Sequence, residues 1–405
     1  MSIVTGGQPA ARRGLMLIRG FLSQNVAIGC SYGAFGVSLL ALQERYSAGR
    51  GVISLGFSCV ILGMGLLGPL IAASVNRFGL KWTMMTGAVL ASCGYTVLAL
   101  SSSTTAFLLA FAFLIGPGVA LSGTLPVGLL VGGWYPEARG RAVGLATMPV
   151  LLSFMPMLGV LLIERLDLSG FYIILAALHF LMLPVLAGIH SAPPFPPAGQ
   201  DGAKRGQAQS GKLLTSPVFW LMVLCGGVLN AVGITGVANM VALLIEQGRS
   251  PAEAGFLASL MGGSSVLGAF SVGWLCDRFG GGRALSFASA GFACGWLVLA
   301  TMSGVFLMAL SVFLIGVCGA GVFPAVNVLS TRIFGLERLA HVLGLFGLFT
   351  LPMTFILPPA AGLLHDITGS YRIMVGAIVL SCAIVAGCFF LLGRFERRAM
   401  QGAGD

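Results

Sequence analysis

The chain has 405 residues, of which 57% are hydrophobic and only 8% charged, with a net charge of +10 and a mean hydropathy of +0.99. A soluble globular domain is nearer a quarter charged, so water is not the solvent for most of this chain. The positive residues sit in gaps between apolar runs and form no continuous basic face, which argues against nucleic acid as a partner and for the lipid bilayer.

A membrane-spanning helix takes about 20 apolar residues. Twelve runs meet that length: 16–40, 51–74, 82–101, 105–133, 141–163, 170–189, 217–245, 253–276, 283–302, 305–331, 340–364 and 371–393. Arg12 and Arg13 precede the first, and Arg19 stands in its opening turn, ahead of the apolar part. Its apolar part, Phe21 to Leu40, is too long for a cleaved signal peptide and is read as a retained helix. His190 to Ser216, between the sixth and seventh runs, carries Pro193-Pro194 and Pro196-Pro197 followed by Gly, Gln, Lys and Arg. That composition buries no core and reads as a flexible linker. The expected layout is an all-α integral membrane protein: a six-helix bundle over 1–189, a cytoplasmic linker over 190–216 and a second six-helix bundle over 217–405.

With the N-terminus placed in the cytoplasm, 17 of the 22 Lys and Arg residues fall in inside loops and tails. The positive-inside rule then expects both termini to be cytoplasmic and the chain to cross the cytoplasmic (inner) membrane many times.

The two halves repeat one plan. Val75-Asn76-Arg77-Phe78-Gly79-Leu80-Lys81 is echoed by Cys276-Asp277-Arg278-Phe279-Gly280-Gly281-Gly282-Arg283. Phe113-Leu114-Ile115-Gly116 recurs at Phe313-Leu314-Ile315-Gly316, Arg141 to Leu145 recurs loosely at His341 to Leu345, and Tyr172 matches Tyr371. The offset stays between 199 and 201 residues, which implies a parallel repeat about an axis along the membrane normal.

Those hinges resemble the loop signature of the major facilitator superfamily, which lies between helices 2 and 3 with a weaker copy between 8 and 9. Here Asn76 stands where the first copy usually has an acid and Ala72 where it has Gly, while Asp277 keeps the acid in the second. Ser31-Tyr32-Gly33-Ala34-Phe35-Gly36, Trp134-Tyr135-Pro136 and Gly140-Arg141-Ala142-Val143-Gly144-Leu145 are similar to the monocarboxylate-porter branch, which includes oxalate/formate and lactate transporters. The resemblance implies a twelve-helix fold of two pseudo-symmetric bundles and a secondary transporter working by alternating access. It also implies that helices 1, 4, 7 and 10 line the pathway. That branch typically holds its carboxylate with an Arg or Lys inside helix 8 or 11. Here the eighth run has no basic residue between Glu253 and Cys276, and the eleventh has only His341 at its start.

Every Asp, Glu, Lys and Arg falls at a run's end or in a loop, so recognition is left to neutral groups. In the first run Gln24 and Ser31 are seven apart, as are Asn25 and Tyr32, close to two helical turns. They are read as one polar stripe that either lines the cavity or bonds neighbouring helices. Asn239, with Thr235 on its face, and Asn327, with Thr331 on its face, are the second bundle's substrate-binding candidates; Asn230 lies about 180° from Asn239. His179 is the one histidine in mid-run, a proton-carrier candidate or a packing residue. Asn76, Arg77, Lys81, Asp277 and Arg278 are the inner-face gate candidates. Pro149, Pro156, Pro352, Pro358 and Pro359 are expected to bend the fifth and eleventh helices or merely curve them.

The nine cysteines lie in or at the ends of apolar runs without a C-x-x-C pair and are read as packing residues, so no metal or other cofactor is expected. No Ser/His/Asp or acid-pair cluster suggests an enzyme. The expected function is transport of a small organic solute, an organic monocarboxylate first, by a monomer. Uptake is the expected direction, and coupling to protons stays open. An aromatic acid, a siderophore or a drug-like solute is the alternative cargo.

Overall fold

The computed structural model describes residues 10–190, 213–302, 304–335 and 338–401. The described residues form helices joined by short turns, without a strand. α1 spans Ala11–Tyr46; α2 is Arg50–Leu66 continued by Gly68–Phe78 after a 58° bend; α3 is Leu80–Leu100 and α4 Thr104–Trp134. The next apolar helix, Gly140–Ala187, is 48 residues long. At about 1.5 Å per residue it would measure about 70 Å, more than twice a hydrocarbon core. Asp167 divides it, with φ 60 and ψ −179. Its carboxylate accepts a hydrogen bond from the Gly170 N–H at 2.8 Å and so caps the next helix. The stretch before Asp167 is α5 and the stretch after it α6. α7 is Pro217–Glu246, α8 Pro251–Phe279, α9 Gly281–Thr301, α10 Val305–Phe334, α11 Leu339–Thr368 and α12 Arg372–Gln401. Among the described residues the spans number twelve, once the helix is divided at Asp167 and the bent pair is taken as one, matching the twelve apolar runs. Most of the linker, 191–212, lies outside the described residues.

The repeat in sequence is a repeat in backbone. The α2–α3 joint turns at Gly79, with φ 83 and ψ 162. The α8–α9 joint turns at Gly280, with φ 93 and ψ 160. That region is closed to residues carrying a Cβ, which is why glycine occupies both copies. The symmetry reaches a side-chain bond as well. Tyr172 at the head of α6 donates to Ser38 Oγ on α1 at 3.0 Å. Tyr371 at the head of α12 donates to Asn239 Oδ1 on α7, also at 3.0 Å.

Only one of the five prolines marked as bends falls at an interruption: Pro149, which precedes Val150. Pro156, Pro352, Pro358 and Pro359 sit inside continuous helix, since a lost ladder bond is tolerable where neighbouring helices pack closely. The sharp bend instead lies in α2, at Leu67 just before Gly68-Pro69.

The bundles meet along α2 with α11, α5 with α8, and α1 with α7. Small residues make these approaches possible. A Cβ on Gly362 would stand 2.6 Å from the Arg50 backbone, and one on Gly36 would meet the Val237 carbonyl oxygen.

Candidate functional site

A cavity of about 190 Å³ lies between the bundles, lined by α1, α5, α7, α8, α9 and α10. Its walls are mostly apolar or glycine, among them Val37, Leu152, Ile234, Val237 and Met261. Three polar side chains join them: Tyr32, Asn230 and Ser265. Ser265 donates its hydroxyl to the Gly262 carbonyl at 2.6 Å. Tyr32 packs edge-on against Phe57, and its hydroxyl reaches only the Met64 sulfur, at 3.7 Å. Asn230 is exposed to the cavity space and makes no side-chain hydrogen bond among the described residues.

The expected polar stripe on α1 disperses, and the cause is local. Gly29–Gly33 is a π-helical turn, which adds a residue and rotates the second half of the helix relative to the first. The seven-residue spacing therefore does not keep one face. Tyr32 reaches the cavity; Gln24, Asn25 and Ser31 are turned to other partners. Gln24 Nε2 donates to Thr124 Oγ1 at 3.0 Å, beside the Gly123 break in α4. Ser31 bonds the Ala27 carbonyl of its own helix at 2.6 Å.

Asn25 mends the Pro149 break. Proline disfavours helical geometry in the residue before it, so Met148 C=O and Leu151 N–H lose their ladder partners. The Asn25 amide supplies both, donating to the Met148 carbonyl at 3.1 Å and accepting from the Leu151 N–H at 2.8 Å.

In the second bundle, Asn239 is fully buried and lies outside the cavity lining. Its Nδ2 bonds the Thr235 carbonyl at 3.0 Å and its Oδ1 holds Tyr371. Asn327 bonds the Phe323 carbonyl at 2.9 Å and also lies outside the lining. His179 is buried away from the cavity. Its Nδ1 faces the Leu175 carbonyl at 2.9 Å and its ring packs against Tyr95.

The richest polar cluster is one that composition did not flag, at the bundle end opposite the hinges. Asp366, at the end of α11, accepts hydrogen bonds from the Arg50 and Gly51 N–H groups at 2.9 Å each. A carboxylate there pairs with two free N–H groups and with the positive end of the α2 dipole. Glu246, at the end of α7, meets Arg50 at 3.6 Å, accepts from His365 Nε2 at 2.9 Å and from the Tyr371 N–H at 3.1 Å. The Arg50 guanidinium lies 5.0 Å from the Tyr371 ring centre. This lattice ties α2 to α7 and α11 across the two bundles at that end. The positive-inside count treated Arg50 as a loop charge. The missed signal was its company: Glu246, His365 and Asp366 all stand at run ends on the same side of the membrane.

At the hinge end, Arg77 stacks on Phe78 at 5.1 Å, Lys81 lies over Trp82 at 5.6 Å and Arg278 lies over Trp274 at 5.3 Å. Asn76 and Asp277 are exposed. Midway between the ends, the Met157 N–H of α5 donates to Ser259 Oγ of α8 at 3.0 Å, a further tie between the bundles.

Comparison with known proteins agrees with this architecture. The family model described as Major Facilitator Superfamily matches residues 21–247 and 223–403. Monocarboxylate transporter 13 of Bos taurus is 25% identical over 398 residues, covering 94% of this chain and 87% of that protein. Monocarboxylate transporter 4 of Mus musculus is 27% identical over 351 residues, covering 82% and 73%. Among solved structures, a D-xylose-proton symporter aligns with a TM-score of 0.76 at 14% identity, covering 93% of this chain and 97% of that one. A bacterial homolog of the human lysosomal transporter Spinster, inward-facing and unoccupied, aligns with a TM-score of 0.74 at 15% identity, covering 97% and 99%. With nearly the whole chain matched, with twelve spans in two related bundles and with a cavity between them, the protein belongs to the major facilitator superfamily of membrane transporters.

Proposed function

We propose that this protein is a secondary transporter that takes up a small organic monocarboxylate across the cytoplasmic membrane, as a monomer with both termini cytoplasmic. The observation that carries the reading is the cavity between two bundles, with the Arg50–Glu246–Asp366 lattice and the glycine contacts beside it joining them at one end. A carrier needs such a closure that can be undone, because substrate must leave on one side and enter on the other. With the positive-rich loops inside, the lattice is the outer gate and this conformation faces the cytoplasm. The hinge residues Asn76, Arg77, Lys81, Asp277 and Arg278 then act at the inner face, where they meet their partners when that side closes. The monocarboxylate transporters among the relatives support the cargo class.

The test is uptake by the purified chain in proteoliposomes, with unlabelled solutes competing against a labelled short-chain acid. Inhibition by small monocarboxylates, and not by sugars or amines, is expected. A panel in which no carboxylate inhibits would overturn the cargo, and competition by a siderophore or drug-like solute would replace it.

A further inference from the structure

We propose that the cavity binds its carboxylic acid in the protonated, uncharged form, and that the Asn230 side-chain amide is the group that reads the carboxyl. This rests on the reading above that the cargo is a monocarboxylate.

The described residues that line the cavity include no Lys, Arg, His, Asp or Glu. An ionised carboxylate moved there from water would lose its hydration without gaining a counter-charge, which is among the most costly transfers a protein can ask for. The cations nearest in function, those of the lattice, are already partnered: Arg50 to Glu246 and to the ring of Tyr371. A neutral acid avoids that cost, and most of its surface meets an apolar wall.

Asn230 is the polar group left available for it. Ser265 is committed to the Gly262 carbonyl, and the Tyr32 hydroxyl, held only by a thioether, offers a single O–H and not the side-by-side donor and acceptor that a carboxyl pairs with. A carboxamide offers one carbonyl acceptor and N–H donors side by side. A protonated carboxyl offers the complementary pair, an O–H donor and a C=O acceptor. The two can close a ring of two hydrogen bonds: acid O–H to Asn230 Oδ1, and Asn230 Nδ2–H to the acid carbonyl. A carboxylate has no donor to give, so one acceptor would face another. Sites built to pair a substrate's donor discriminate strongly against the form that lacks it. The ring also needs no proton held by the protein: each acid carries its own across, one proton per molecule. A neutral carboxamide of the same acid presents the same donor and acceptor and should bind at any pH.

The experiment measures binding to the detergent-purified full chain from pH 5 to pH 7 by isothermal titration. The probes are lactic, butyric and benzoic acids, each beside its own amide. For an acid that binds, the dissociation constant in total acid should rise about tenfold per pH unit above that acid's pKa, since only the protonated fraction counts. Its amide should bind with a constant that does not change with pH, which separates titration of the ligand from titration of the protein. Asn230→Leu should lose amide binding at least about tenfold at pH 7, because it removes both the donor and the acceptor at nearly the same volume. Asn230→Gln, which keeps the amide, should retain part of it. An acid whose affinity is flat across this range overturns the proposal alone. Failure of the amide to bind overturns the pairing with Asn230. Failure of every acid at every pH overturns both the proposal and the monocarboxylate reading.

Discussion

Tyr371 shows how a single side chain couples parts of the molecule that are distant in sequence. Its hydroxyl holds Asn239 on α7, its N–H holds Glu246 at the end of the same helix, and its ring lies beside the Arg50 guanidinium of the other bundle. Tyr371→Phe keeps the ring and removes one bond, leaving the Asn239 Oδ1 buried without its donor. An unsatisfied buried acceptor costs about 1–3 kcal/mol. The melting temperature of the purified variant should fall by several degrees, while Asn230→Gln, in open cavity space, should leave it unchanged. Equal melting of Tyr371→Phe and the parent would show that this bond carries no net stability. Asn25 is the matching case in the first bundle, an amide engaged at a proline break. Both residues have the composition of a binding site and the geometry of a structural brace. Counting polar residues on an idealised helix does not separate the two, because partners from other helices, the break at Pro149 for Asn25 and the Tyr371 hydroxyl for Asn239, hold each amide.

At the level of helices, the closed end must be firm enough to seal and weak enough to open. Each tenfold change in the ratio of the two conformations corresponds to about 1.4 kcal/mol. A lattice worth much more than about 5 kcal/mol would leave the opposite conformation too rare to cycle. Glu246 is where three partners converge: Arg50, His365 and the Tyr371 N–H. Glu246→Gln removes its charge and weakens all three, and should move the population toward opening at this end. Spin labels at Ser47→Cys and Ser370→Cys, in a background lacking the native cysteines, report that opening by double electron–electron resonance. A longer-distance component should grow in the Glu246→Gln protein. An unchanged distance distribution would mean that the lattice is decoration and that glycine packing alone seals the end.

For the molecule as a whole, much of the fold was legible in the sequence. The twelve apolar runs set the number of spans, and the echo of Arg77-Phe78-Gly79 in Arg278-Phe279-Gly280 named the symmetry that the paired Gly79 and Gly280 turns display. Hydrophobic length is imposed by the bilayer, so it is written plainly in composition. The cavity was less legible. Asn230 and Asn239 sit on opposite faces of α7, and nothing along that helix alone says which face meets the other bundle. That choice is made by the contact of α1 with α7 at Gly36 and Val237. The lattice was hidden for a similar reason, since its members come from the starts of α2 and α12 and the ends of α7 and α11.

The central claim is that two bundles pass one carboxylic acid through one cavity by closing each end in turn. Counterflow tests it most directly. Proteoliposomes containing the purified chain are loaded with an excess of unlabelled acid and diluted into a trace of the same acid labelled, at equal pH on both sides. Liposomes without protein supply the leak to be subtracted. The account predicts a transient accumulation of label above equilibrium that then decays, because each exit of unlabelled acid returns the cavity to the outside. Label that rises only to equilibrium with every acid tested would contradict alternating access to these substrates.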